Sequence, residues 1–189
     1  MNPTYPIIGV VGAGAMGRGI AQIAAQAGST VKLYDTSAPA IEQAIASLSA
    51  QWHKLADKGK LTPAQVQTYI ARLQAATTLS SLADCQLVVE AIIERLDIKQ
   101  SLFGELEGIV ADDAVLVTNT SSLSVTAIAA KLQRPQQFAG YHFFNPVPLM
   151  KVVEVIAGLK TDARVCTNLA AYAREMGHTP VQASDTPGF

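Results

Sequence analysis

The chain opens on a run of apolar positions, Ile7-Ile8-Gly9-Val10-Val11, that reads as a strand buried on both faces. The run breaks into Gly12-Ala13-Gly14-Ala15-Met16-Gly17. The small and apolar residues from Ile20 to Ala27 then predict a helix, ended by Gly28. Val31-Lys32-Leu33-Tyr34 predicts a second strand. From Ala38 to Lys58, Ile41, Ile45, Leu48, Trp52 and Leu55 recur at helical spacing, and Gly59 stops the segment. Thr62-Pro63-Ala64-Gln65 combines an N-cap, a proline at the first helical position and a capping-box glutamine, so another helix follows to about Leu73. Two helices exceed what a crossover between parallel strands needs. They predict a helical hairpin projecting from the sheet.

Beyond the hairpin, Ala75 to Thr78 reads as a short strand, and Ser80 and Ser81 as caps of a helical turn before Asp84. Leu87-Val88-Val89-Glu90-Ala91-Ile92 predicts a buried strand, Leu96 to Val110 a helix with Leu102, Phe103, Leu106 and Val110 toward the core, and Val115-Leu116-Val117 a further strand. A short helix follows over Val125 to Ala130. The segment from Phe138 to Phe144 predicts a strand that ends at the Asn145-Pro146 turn, and Met150 to Ile156 predicts its neighbour. A helix opened by Thr161-Asp162 and closed by Gly177, then a strand over Thr179 to Ala183, complete the pattern. Strands alternating with helices point to an α/β fold with a Rossmann-like, doubly wound, mostly parallel sheet.

Composition narrows this. A chain of 189 residues is one ordinary domain, or one domain and the start of a second. With 49% hydrophobic residues it can build a large core, and a net charge of −1 offers no footprint for nucleic acid or an anionic membrane. Cys85 and Cys166 are far apart, form no C-x-x-C pair and are expected to be reduced, as in a cytoplasmic protein. The N-terminus lacks a basic leader pattern, no uncharged apolar run reaches membrane-spanning length, and no metal site is expected.

The candidate chemistry lies at strand ends. In G-x-G-x-x-G after a strand, Gly12 permits the tight turn, Gly14 lets the backbone approach a pyrophosphate and Gly17 lets helix and strand pack closely. Asp35 lies 18 residues past Gly17, at the end of the second strand. A carboxylate there accepts hydrogen bonds from the adenosine ribose and repels a 2′-phosphate, so the cofactor is read as NAD and not NADP. Glu94 and Lys99 follow the third long strand, and Thr118-Asn119-Thr120-Ser121-Ser122 the next; five consecutive polar residues exceed what a helix cap needs. His53 and His178 read as surface residues. His142, at a strand end in an apolar and aromatic setting, differs, because Glu154 on the adjoining strand can reach its ring. A carboxylate on one ring nitrogen raises the basicity of the other, which suits proton removal from an alcohol.

These motifs make the sequence resemble the NAD-binding domain of L-3-hydroxyacyl-CoA dehydrogenases, the 3-hydroxybutyryl-CoA dehydrogenase type, over essentially its whole length. The resemblance is carried by the glycine turn Gly12 to Gly17, Val89-Glu90-Ala91 through Glu94, Asn119-Thr120-Ser121-Ser122, His142-Phe143-Phe144-Asn145-Pro146 and Asp185-Thr186-Pro187-Gly188-Phe189. It implies reversible NAD-dependent oxidation of an L-3-hydroxyacyl-CoA to the 3-ketoacyl-CoA, with His142 as base and Glu154 as its orienting partner. It implies that Ser121 and Asn145 bind the substrate oxygen and the nicotinamide end of the cofactor. Gly12, Ala13, Gly14, Ala15, Met16, Gly17, Asp35, Glu94 and Lys99 would contact NAD, and Ser47 and Lys54 of the hairpin would contact coenzyme A.

Two features depart from the family pattern. Arg18 stands where many members have a smaller residue, either as an added phosphate contact or pointing outward. The family also continues past this point into a helical domain that dimerises and closes the active site. Residues 1–185 are therefore expected to be the NAD-binding domain and 186–189 the start of a missing C-terminal domain, the full-length parent being a homodimer. Rival readings are another NAD-dependent hydroxyacid dehydrogenase, of the 3-hydroxyisobutyrate or 6-phosphogluconate type, and a non-catalytic, crystallin-like relative. The hairpin and the His142–Glu154 pair argue against the first. Retention of both residues argues against the second.

Overall fold

The computed structural model describes residues 2–185. Eight strands form one sheet in the order β3-β2-β1-β4-β5-β6-β7-β8, the central ones being β1 (Ile7–Val11), β4 (Leu87–Glu90) and β5 (Val115–Thr118). On one side lie β2 (Thr30–Tyr34) and β3 (Leu73–Ala75), and on the other β6 (Phe138–Phe143), β7 (Val152–Ala157) and β8 (Thr179–Ser184). Every pairing is parallel except β6 with β7, which the Asn145-Pro146 turn folds back antiparallel. The strand order reverses between β1 and β4, and open α/β sheets bind ligands at the carboxyl ends flanking such a switch.

Both faces of the sheet are covered. Leu87 and Val89 of β4 and Val115 and Val117 of β5 face a core shared with helices α1 (Ala15–Ala27), α2 (Ala38–Asp57), α3 (Pro63–Arg72) and α6 (Ala163–Glu175). Val88 and Leu116, one residue out of phase, face α4 (Leu96–Glu107) and α5 (Val125–Ala129) through Phe103, Leu106 and Ile128. The central strands are apolar throughout because neither of their faces meets water.

The hairpin is built as its sequence requires. Thr62 and Gln65 form the capping box that starts α3. Ile41, Ala44, Leu48 and Trp52 form the inner stripe of α2, with Trp52 fully buried. The Trp52 indole packs on Tyr69, and its N–H donates to Gln26 of α1 at 2.9 Å. One face of the hairpin is thus fixed to α1, while Ser47, Lys54 and His53 stay exposed on the other.

Some boundaries differ from the sequence expectation. Helix α1 begins at Ala15, inside the glycine motif, and β3 starts at Leu73, directly after α3. His178, expected at the surface, is buried at 2% exposure. Its ring contacts the Val147 carbonyl at 3.0 Å and the Phe143 ring, and burial lowers its pKa although its backbone hydrogen bonds oppose that. Gly177 ends α6 in a left-handed turn that folds this ring under the loop after β6.

Gly17 sets the height of α1 against the sheet. A Cβ there would stand 1.7 Å from the Gly12 carbonyl oxygen, which is backbone and cannot yield. Gly17→Ala is therefore expected to lower stability by more than about 3 kcal/mol, beyond ordinary core overpacking, as measured by urea unfolding.

Candidate active site

Where β1 meets α1, Gly12 adopts φ +114° and donates its N–H to the Tyr34 carbonyl at 2.8 Å. A Cβ on Gly12 would lie 2.5 Å from the Ala91 carbonyl oxygen, so glycine is required by the fold itself. Gly14 is different. Its φ is an ordinary −76°, and a Cβ there would meet nothing within 4 Å. Neither torsion nor packing calls for a glycine, but a ligand pressed against this backbone would. Gly14 is also the N-cap of α1 and carries no capping side chain. The first-turn N–H groups thus face outward with the positive end of the helix dipole, a setting that suits a pyrophosphate.

Beside this turn, Gly12, Tyr34, Asp35, Thr36 and Ile92 line a cavity of about 560 Å³. One Asp35 oxygen accepts from the Ala13 N–H at 2.8 Å and the other from the Ser37 N–H at 2.9 Å. The carboxylate is therefore fixed between the glycine turn and the start of α2, at the wall where an adenosine ribose would lie. The residues present fit an NAD dinucleotide.

A second cavity, of about 320 Å³, is lined by Met16, Glu94, Asn119, Ser121, His142 and Asn145. Its walls come from α1 and from the carboxyl ends of β4, β5 and β6, adjacent strands in the sheet. The antiparallel register sets His142 directly opposite Glu154, and Nδ1 lies 2.8 Å from a Glu154 carboxylate oxygen. An ionised carboxylate only accepts, so this contact puts the proton on Nδ1 and leaves Nε2 the basic nitrogen. Phe144 packs on the ring at 4.5 Å between centroids. The Asn119 side-chain oxygen accepts from the Phe143 N–H at 2.8 Å and ties the end of β6 to that of β5.

Below this cavity lies a buried ionic network that the sequence reading did not foresee. Glu90, with no exposure, accepts from Thr118 Oγ1 at 2.6 Å, the Ile92 N–H at 2.6 Å and Lys99 Nζ at 2.5 Å. Lys99 Nζ also reaches Glu94 at 3.1 Å and the Ile92 carbonyl at 3.5 Å. Lys99, expected from the resemblance to contact the cofactor, is 1% exposed, and its ammonium is engaged by these three groups behind Glu94. The available signal was a glutamate inside an otherwise apolar, doubly buried strand, which requires a charged partner.

Glu94 is the member of the network that reaches the cavity. One of its oxygens accepts from Thr120 Oγ1 at 2.8 Å, Ser122 Oγ at 3.2 Å and the Ser121 N–H at 3.3 Å. Burial alone would raise its carboxyl, but the Thr120 hydroxyl, the Lys99 ammonium and the Ser122 hydroxyl together hold it below the ordinary glutamate value. Much of the polar cluster after β5 thus serves to fix one ionised carboxylate.

Ser47 and Lys54 do not join this cavity. Ser47 lines a separate concavity with Ala13 and Arg18, and Lys54 is exposed near the end of α2. Asp185 accepts from the Val125 and Thr126 N–H groups at 2.8 Å each and from the Ser124 and Thr126 hydroxyls. Burial would raise its carboxyl, yet these donors bring it below the usual range. The anchoring it gives α5 is therefore present above the ordinary aspartate pKa and lost as pH falls through the lower folded value. The rest of that motif, Thr186 to Phe189, lies outside the described residues.

The family described as 3-hydroxyacyl-CoA dehydrogenase, NAD binding domain, matches residues 7–186. The chain belongs to this family. A 3-hydroxyadipyl-CoA dehydrogenase of Escherichia coli is 44% identical over 182 residues, covering 96% of this chain and 38% of the relative. A probable 3-hydroxybutyryl-CoA dehydrogenase of Bacillus subtilis is 44% identical over 180 residues, covering 95% of this chain and 63% of the relative. The crystal structure of a 3-hydroxybutyryl-CoA dehydrogenase from Escherichia coli superposes with a TM-score of 0.96 at 43% identity, over 100% of this chain and 40% of that one. The chain thus spans between about two fifths and two thirds of these relatives. As in its family, the cofactor of this domain is NAD. Among the described residues no helix is long and apolar enough to cross a membrane.

Two substitutions separate fold from site. Gly14→Ala is expected to leave the thermal midpoint within about 2 °C while weakening NADH binding at least about tenfold, read by NADH fluorescence titration. Lys99→Met strands the buried Glu90 charge and is expected to cost about 3–5 kcal/mol in urea unfolding.

Proposed function

We propose that the whole protein containing this domain reversibly oxidises an L-3-hydroxyacyl-CoA to the 3-ketoacyl-CoA, and that this cavity is where the reaction takes place. The observation that carries the reading is the His142–Glu154 pair at 2.8 Å, with the histidine in the same cavity wall as Ser121, Asn145 and Glu94. NAD, when bound, supplies the hydride acceptor.

His142 Nε2 removes the proton of the C3 hydroxyl as the hydride departs. Glu154, on the far side of the ring, stabilises the imidazolium that results and holds the imidazole in the required tautomer. Ser121 and Asn145 donate to the oxygen at C3 and orient the carboxamide of the nicotinamide. Glu94 accepts from a ribose hydroxyl of the cofactor, with Thr120 and Lys99 fixing its position. Asp35 takes the adenosine ribose. On the exposed face of α2, Ser47 and Lys54 meet the coenzyme A portion of the substrate.

The same reading extends to the remainder of the protein. Residues 1–185 form the NAD-binding domain. Residues 186–189 lead into a helical domain that completes the substrate cleft and joins two copies into a homodimer in the cytoplasm. The relatives' greater length supports a further domain in the whole protein.

Oxidation of NADH by acetoacetyl-CoA tests the proposal. The present chain is expected to bind NADH but to turn over far more slowly than a form extended by the C-terminal domain. In the extended form His142→Gln should lower kcat by about 10²–10⁴-fold with NADH affinity retained. Full turnover by the glutamine variant would refute the assignment of the base.

A further inference from the structure

Asn119 follows the last residue of β5 and lines the reaction cavity together with Ser121 and Asn145. It differs from both in how it is held. Ser121 and Asn145 are exposed, and among the described residues their side chains make no hydrogen bond. Asn119 is half-buried, and its side-chain oxygen accepts from the Phe143 N–H at 2.8 Å. A backbone N–H only donates, so the atom facing Phe143 is Oδ1, and the position of the amide nitrogen follows. That nitrogen, Nδ2, has no hydrogen-bond partner among the described residues. Its N–H groups are therefore donors fixed in direction before any ligand arrives.

The sheet order says what they meet. The Asn119 backbone N–H donates to the Glu90 carbonyl of β4 at 2.9 Å, while its side-chain oxygen is held by β6. An amide carries its nitrogen on the opposite side of Cγ from its oxygen, so Nδ2 turns away from the Phe143 backbone. Asn119 thus stands between Glu94, which follows β4, and His142 of β6, and all three line one cavity. Glu94 is assigned to a ribose of the cofactor and His142 to the C3 hydroxyl of the substrate. The group that lies between that ribose and that hydroxyl is the nicotinamide ring, and its polar substituent is a carboxamide.

Building on the reading of this cavity as the reaction site, we propose that Asn119 orients the nicotinamide, with Nδ2 donating to the carboxamide oxygen. The other end of the same amide holds the Phe143 N–H, one residue from His142. One rigid group thereby sets both the cofactor ring and the strand end that carries the base. A ring fixed in this way keeps one face toward the substrate, the alignment that hydride transfer needs.

The test is calorimetric binding of reduced dinucleotides that differ only in the carboxamide. The thionicotinamide analogue keeps the NH2 and replaces the oxygen by sulfur, a weak acceptor. The 3-acetylpyridine analogue keeps the oxygen and lacks the NH2. The wild type is expected to bind the thio analogue about tenfold more weakly than NADH. Asn119→Asp retains an acceptor for the Phe143 N–H and removes the donor. It should keep the thermal midpoint, weaken NADH about tenfold and abolish the difference between oxygen and sulfur, while the ratio of NADH to the acetyl analogue stays as in the wild type. Asn119→Ala, which removes both ends of the amide, should abolish the oxygen–sulfur difference as well. A thio analogue that binds the wild type as tightly as NADH, or a difference that persists in both variants, overturns the proposal and leaves the reaction site standing. A change confined to the acetyl ratio assigns Asn119 to the NH2 of the carboxamide and also overturns it. NADH binding the wild type no more tightly than ADP-ribose, which lacks the nicotinamide, overturns the reading of the cavity and this proposal together.

Discussion

The contact between Gly17 of α1 and the Gly12 carbonyl fixes how closely the first helix approaches the sheet, and the ligand-facing geometry follows from that distance. A helix lifted by even one methyl group would carry its first-turn N–H groups away from the mouth of the switch between β1 and β4. It would also shift Met16, which lines the cavity of His142. Gly12 and Gly17 serve the fold, each excluded from bearing a side chain by backbone atoms of its neighbours. Gly14, between them, is excluded by nothing in the protein. One short motif thus combines two requirements of packing with one of ligand approach.

The ionic network under the cavity is a second constraint of different character. Glu90 and Lys99 are charges removed from water, a costly arrangement unless each is paired and hydrogen-bonded. Thr118 and the Ile92 N–H complete that pairing for Glu90. The network links the ends of β4 and β5 to α4 and delivers a carboxylate, Glu94, whose ionisation persists below the usual glutamate range. A cavity wall that presents a fixed negative charge gains definition from a buried counter-ion more than it gains stability.

Much of this was legible in the sequence because it depends on local chemistry. The glycine turn, the capping box at Thr62 and the apolar runs of the central strands each dictate conformation within a few residues. The facing of His142 and Glu154 was also foreseeable, since a short turn between two strands implies antiparallel pairing. The burial of Lys99 and of His178 was not legible, for a common reason. Lys99 lies in the first turn of α4 and His178 just past the end of α6, and at helix ends periodicity does not tell whether a polar residue folds inward. For Lys99 the determinant is Glu90, nine residues earlier; for His178 it is the Val147 carbonyl, 31 residues earlier. Such partners are set by tertiary structure.

The antiparallel join of β6 to β7 has a consequence for how this domain tolerates change. Side chains alternate between sheet faces with a period of two, so sliding β7 by a single position would send Glu154 through to the opposite side and bring Val153 or Val155 under the imidazole. Insertions confined to residues 144–151 leave that parity intact, whereas one extra residue inside either strand inverts it. The His142–Glu154 pairing is consequently insulated from drift in loop length yet vulnerable to the smallest indel in a strand.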